Sequence, residues 1–194
     1  MAKSFALAEN SCGKNVGFAC DLLGALYQSG EGVNSDPAAA NRFFAKAAEL
    51  YRQECDKGYA LDCFRLGGLR NQGNGVEQDT TGAILLYQKA CDARIAIACE
   101  WLSKIYLYSD HVENDEEKAA QYREKSCDSG DAPSCYALGM DYLHGDEGVA
   151  RDEAKAAGLF QKGCDLDDDD SCESLGDLYM KGAEAFQQDK EHAA

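Results

Sequence analysis

Ten cysteines fall into five pairs of identical spacing, and that pattern constrains the fold more than any other property of the chain. The pairs are Cys12 and Cys20, Cys55 and Cys63, Cys91 and Cys99, Cys127 and Cys135, and Cys164 and Cys172, each C-x7-C. Successive pairs begin 43, 36, 36 and 37 residues apart. A fixed period of this length is the signature of a repeat array. The flanks repeat as well. Three and four residues after each second cysteine stand Leu23-Gly24, Leu66-Gly67, Leu102-Ser103, Leu138-Gly139 and Leu175-Gly176. At +7 stand Tyr27, Arg70, Tyr106, Tyr142 and Tyr179.

Leu at +3, Gly at +4 and Tyr at +7 share one face of a helix. The glycine admits a neighbouring helix, and the tyrosine supplies area plus a hydroxyl that needs a partner. Glycine-rich stops follow at Gly30-Glu31-Gly32-Val33, Gly73-Asn74-Gly75-Val76 and Gly145 to Val149. The third repeat departs with Ser109-Asp110-His111-Val112, and the fifth with Gly182-Ala183-Glu184-Ala185. Asp36 then reads as an N-cap with Pro37 as the first helical residue, and Asp79, Asp115 and Asp152 recur at the matching place. Each unit is therefore helix A, break, helix B. The first period exceeds 36 by seven residues, two helical turns, which lengthens that helix B without rotating its buried face. Only two prolines occur, and no run of 18 apolar residues is present to span a membrane.

This pattern resembles the SEL-like repeat family, relatives of the tetratricopeptide arrays, and the C-x7-C pairs resemble its cysteine-rich Hcp-type branch. The residues that carry the resemblance are Lys89-Ala90-Cys91-Asp92, Cys135 to Gly139 with Gly148-Val149, and Gly163-Cys164 through Leu175-Gly176. The resemblance covers about residues 5 to 186. It implies an all-α fold, a right-handed superhelical α/α solenoid of about five repeats with one disulfide in each, expected here as a single domain over residues 1–194.

Within one helix, cysteines eight residues apart lie about 12 Å apart along the axis, too far to bridge. Across a tight turn they face each other on antiparallel helices. The expected pairing is 12–20, 55–63, 91–99, 127–135 and 164–172. Reduced packing or a metal site is the alternative, although zinc pairs are typically spaced C-x2–4-C and the chain has three histidines. In the chain-entropy account each roughly nine-residue loop contributes on the order of 2–3 kcal/mol.

The formal net charge of −16 excludes a basic nucleic-acid face and disfavours anionic membranes. It suits a partner carrying basic residues. Cytosolic chains rarely hold ten cysteines, and Met1 to Leu7 is too short and polar for a secretory leader. The expected address is periplasmic or secreted, the leader lying outside this sequence, with the mitochondrial intermembrane space as the alternative.

The resemblance places a concave groove along the A helices. Positions +1, +5 and +8 are left to line it, with Phe64, Glu100, Lys104, Tyr136, Met140, Glu173 and Asp177 as its expected contact residues. The alternative for Phe64 and Tyr136 is partial burial between adjacent A helices. Leu107, Leu143 and Met180 stand at +8. Catalysis has little support. His111, His144 and His192 are isolated, and the run Asp165 to Asp170 lacks the glycine and terminal glutamate of a calcium loop. One S-x-x-K, Ser11 to Lys14, lacks the companion motifs of serine β-lactamases. The functional expectation is a non-catalytic adaptor, scaffold or immunity-type binder, with no cofactor and no catalytic or metal residues. The resemblance implies two alternatives: an Hcp-like penicillin-binding protein with weak β-lactamase activity, and a mitochondrial assembly factor. Non-reducing peptide mapping is expected to recover only crosslinks within the five pairs; one crosslink between different pairs would reject the arrangement.

Overall fold

A computed structural model describes residues 2–192, with side chains described for residues 5–182. Among the described residues there are ten α-helices and no strand. They form two compact units, divided after Ala93. The first unit holds α1 (Ala2–Gly13), α2 (Gly17–Ser29), α3 (Pro37–Asp56), α4 (Ala60–Gln72) and α5 (Thr80–Asp92). The second holds α6 (Ala96–Tyr108), α7 (Glu116–Asp128), α8 (Ala132–His144), α9 (Glu153–Cys164) and α10 (Asp169–His192).

Each turn from a B helix into the next A helix is built alike. The third residue after the first cysteine takes the left-handed conformation: Asn15, Gly58, Arg94, Gly130 and Asp167, with φ between 63° and 96°. The N–H of the following residue then reaches back to the last turn of the B helix. Val16 donates to Ser11 O, Tyr59 to Glu54 O, Asp131 to Ser126 O and Asp168 to Gly163 O, at 3.1–3.2 Å. This is the six-to-one closure that ends a helix on a left-handed residue. It reverses the chain within about four residues and brings the flanking cysteines together. Cys12–Cys20, Cys55–Cys63, Cys127–Cys135 and Cys164–Cys172 are bonded, each with Cα atoms 4.7 Å apart. Cys91 and Cys99 are disulfide-bonded too, and no cysteine is free.

The turns from A to B use the expected aspartates. Asp36 accepts from Ala38 N and Ala39 N, Asp79 from Gly82 N, Asp115 from Lys118 N and Asp152 from Lys155 N, at 2.8–3.0 Å. Asp36 satisfies two otherwise unpaired donors of its helix start and the other three aspartates one each. The same aspartates donate their own N–H to the +7 carbonyls of Tyr27, Arg70, Tyr106 and Tyr142, at 2.7–2.9 Å. Helices α2, α4 and α8 end on left-handed Gly30, Gly73 and Gly145. Helix α6 ends on Ser109 in extended conformation, as its missing glycine requires.

Leu23 and Leu66 are buried in the first unit, and Leu102, Leu138 and Leu175 in the second. An aromatic ring from helix B lies over the +4 glycine. A Cβ on Gly24, Gly67 or Gly139 would come within 2.5–2.7 Å of the ring of Phe44, Tyr87 or Phe160. The long α3 carries both Phe44 and Tyr51, seven residues apart and both buried, so its two extra turns keep one face inward. Lysines join neighbouring hairpins: Lys46 Nζ donates to Cys12 O and Lys89 Nζ to Cys55 O, both at 2.8 Å. They meet carbonyls at helix C-termini, where a cation is favoured.

Three expectations need correction. No stop occurs at Gly182; α10 runs unbroken to His192. No left-handed glycine and aspartate cap stand there to end it. Gly176 and Tyr179, at core positions of the other repeats, are exposed, Tyr179 at 65%. Leu107, assigned to the groove, is buried. The loop before α5 packs tightly on α3. Gly75, at φ 70°, donates its N–H to Asn41 Oδ1 at 3.1 Å, and a Cβ there would overlap the backbone of Phe44 and Ala45. Gly75→Ala is expected to lower the unfolding free energy by about 2 kcal/mol or more in chemical denaturation. Gly58→Ala, left-handed but with open space around it, should cost only about 1 kcal/mol; equal losses would contradict the packing role of Gly75.

Candidate functional site

The A helices turn their +3 and +4 residues into the core, which leaves the +1 and +5 residues to the outer side of each hairpin. In the first unit Phe64 is half-buried, its ring tilted against Tyr87 at 5.5 Å between centroids. Asp21, the +1 residue of α2, accepts a hydrogen bond from the Tyr51 hydroxyl at 3.1 Å. Burial raises the Asp21 carboxyl above its ordinary range, and burial together with Asp21 raises the Tyr51 phenol. The Arg65 guanidinium lies over the rings of Phe18 and Tyr51, 5.4 and 5.6 Å from their centroids. Beside it, Phe18, Leu22 and Leu61 are exposed, Phe18 at 57%. Phe18 and Leu61 occupy the position two residues before the second cysteine. Ile97 and Pro133 of the second unit stand at the same position, and both are exposed. This recurrent exposed apolar position escaped the sequence reading, although its spacing from the cysteines is constant.

In the second unit Glu100 and Lys104 form an ion pair at 2.6 Å across one turn of α6. Both border a cavity of about 220 Å³, with Arg123 of α7 and Pro133 and Ala137 of α8. Tyr136 is half-buried and leans on Phe160 at 6.0 Å, and Met140 packs on the same cluster. Glu173 and Asp177 are exposed on α10. Phe64 and Tyr136 are each half in contact with the core and half accessible. The structure brings Glu100 and Lys104 together, and Tyr136 with Met140.

The other candidates are elsewhere. His111 and His144 are exposed, and His144 Nδ1 lies 2.9 Å from Met140 O. His192 lies outside the residues whose side chains are described. Ser11 sits in the last turn of α1 and Lys14 in the turn after it, joined by Lys14 N–H to Ser11 O at 3.1 Å. In the acidic run, Asp168 caps α10 by accepting from Ser171 N at 2.8 Å. Among the described residues no cluster of His, Cys, Asp or Glu has metal-binding geometry, and no helix is long and apolar enough to cross a membrane.

The Sel1 repeat model matches residues 17–51, 60–94, 96–131, 132–168 and 169–194. The chain belongs to the Sel1 repeat family. Its fold is of the α/α solenoid class, built from helical hairpins with a disulfide in each repeat. Solved Sel1-type structures share it. A Sel1 repeat protein of Oxalobacter formigenes superposes with a TM-score of 0.60 at 24% identity, over 87% of this chain and 65% of its own. Cysteine-rich protein B of Helicobacter pylori is 30% identical over 67% of this chain and 92% of its own, with a TM-score of 0.51. An immunity protein of Pseudomonas aeruginosa is 17% identical over 86% of this chain and 75% of its own, also at 0.51. The chain thus spans about two thirds of the Oxalobacter protein's length. No curated protein matches it.

Among the Sel1 repeats of this chain the third is altered at linked positions. Helix B carries a buried ring four residues before its cysteine, Tyr51, Tyr87 or Phe160, but Arg123 in the third repeat. Ser103 replaces the +4 glycine. Asp141 of α8 stands where the other repeats have Leu26, Leu69, Ile105 and Leu178. Arg123 ion-pairs with Asp141 and reaches Glu147 Oε2 at 2.7 Å, and the Tyr108 hydroxyl donates to Glu147 Oε1 at 2.9 Å. Two carboxylates share one guanidinium in a mostly dry place, an arrangement that burial penalises unless every charge is paired.

Burial pushes the Asp141 carboxyl up to about 6; Glu147 adds to the rise and Arg123 opposes it. A carboxyl whose folded pKa lies above its unfolded value of about 4 holds its proton more tightly in the fold. The stability it contributes is full below about pH 4 and is lost as pH rises through about 6. The melting temperature is therefore expected to fall between about pH 4 and about pH 7 more steeply in the natural protein than in Asp141→Asn. Parallel thermal-unfolding profiles would contradict the assignment.

Proposed function

We propose that this chain is a non-catalytic protein-binding module, acting in the periplasm or outside the cell as an adaptor, scaffold or immunity-type inhibitor. Sel1 repeat proteins generally serve as protein-interaction scaffolds. The observation that carries the reading is the outer side of the A helices. Its groups are aromatic and acidic, placed beyond the packed core and only partly used by it: Phe64 in one unit, and Glu100, Tyr136, Met140, Glu173 and Asp177 in the other. Rigid aromatics supply anchors, and carboxylates attract and orient a basic partner. An extended peptide or a protein element rich in Lys and Arg is the matching occupant. The likeness to a Pseudomonas immunity protein supports the inhibitor form, with acidity speeding capture of a basic toxin.

The oxidised cysteines call for an oxidising compartment. The periplasm or exterior is the reading adopted here, and the mitochondrial intermembrane space is its alternative. Affinity capture from the native host tests the binding face. Charge reversal by Glu100→Lys with Glu173→Lys is expected to weaken partner retention by about tenfold or more and to reduce its salt dependence. Retention equal to that of the natural protein would exclude this face.

A further inference from the structure

The third hairpin lacks a ring where its neighbours have one. Phe44, Tyr87 and Phe160 lie over Gly24, Gly67 and Gly139. The corresponding pair in the third hairpin is Arg123 and Ser103, and the space between α6, α7 and α8 is left as the cavity of about 220 Å³. A void of roughly 150 Å³ already holds a benzene ring. Ser103 borders the cavity and is only 2% exposed, yet its Oγ has no hydrogen-bond partner. A buried hydroxyl left unpaired is unfavourable, and a ligand that supplies a partner recovers the loss. Pro133 and Ala137 make one wall apolar, and the Arg123 guanidinium offers a cationic surface that favours an aromatic face.

We infer that this cavity receives a tyrosine side chain of the bound partner, the ring occupying the space of the absent aromatic and the phenol hydroxyl pairing with Ser103 Oγ. The inference rests on the protein-binding reading and names the anchor that the third hairpin takes. A carboxylate is the competing occupant, because Arg123 and Lys104 both line the site. Those cations are already matched, Lys104 by Glu100 and Arg123 by Asp141 and Glu147. The chain as a whole also carries a charge of −16, which repels an anion. A neutral phenol avoids both penalties.

Titration of the full, oxidised chain with small probes, followed by amide NMR shifts at Ser103 and Ala137, tests the proposal without any partner. p-Cresol, the tyrosine side-chain analogue, is expected to bind saturably, about fivefold tighter than toluene. Ser103→Ala should abolish that difference. Ala137→Leu, which narrows the mouth, should weaken p-cresol about tenfold, and Ser103→Gly with Arg123→Phe should close the site by restoring the ring. Propionate should give no saturable shift. The proposal is overturned if p-cresol and toluene bind the natural protein equally, if propionate binds more tightly than p-cresol, or if Ala137→Leu leaves p-cresol binding intact. Loss of the cresol site alongside a partner still released by Glu100→Lys with Glu173→Lys would remove only the anchor. Cresol binding in a chain whose partner ignores those reversals would remove only the binding face.

Discussion

The reverse turn between one helical hairpin and the next is the constraint on which the rest of this molecule depends. A left-handed residue three positions after the first cysteine folds the chain back, a six-to-one hydrogen bond closes the helix end, and the disulfide locks the result with Cα atoms 4.7 Å apart. An A helix begun this way needs little help from a side-chain cap. Helices α2, α4 and α6 start at Val16, Tyr59 and Ile95 without one, while α8 and α10 add Asp131 and Asp168. Helix B starts are different, since no covalent bond holds them. There an aspartate does the work twice, capping the new helix with its carboxylate and anchoring its own N–H to the +7 carbonyl of the old one.

Once both turns are set, packing follows locally, as in other repeat arrays whose units touch only their neighbours. A ring on helix B covers a glycine on helix A, and a leucine one residue earlier is sealed beneath it. Lysines bridge from one hairpin to the helix end of the previous one. The third repeat exchanges this apolar lock for an ionic one. Arginine replaces the ring, serine the glycine and aspartate an aliphatic residue, and the new charges satisfy one another through Glu147 and Tyr108. Such clusters contribute less net stability than well-packed rings, because desolvation offsets most of the attraction. The exchange leaves a cavity and an unpaired serine hydroxyl beside Glu100 and Lys104.

Most of the helical order was legible in the cysteines, the Leu-Gly pairs and the recurrent aspartates, because each signal acts over fewer than ten residues. The two added turns of α3 could be read from a seven-residue excess, since seven residues return a helix to nearly the same face. The outer side was less legible. Leu107 shares the +8 register with exposed Met180, yet one is buried and the other is not. Burial at +8 depends on what stands across from each helix, which the repeat pattern does not encode. The exposed position held by Phe18, Leu61 and Ile97 had a constant spacing from the cysteines but carried no polar alternation to mark it.

The sequence by itself determined the repeat length, the helix boundaries up to α10, the recurrent aspartate caps and the identity of the paired thiols, because local backbone conformation and short-range hydrogen bonding decide all of these. Tertiary structure alone decided which surfaces stay open and how Arg123, Asp141 and Glu147 meet. Those residues are six or more positions apart on two helices and a loop. Their mutual desolvation, and the perturbed carboxyl that comes with it, exists only after the hairpins have packed.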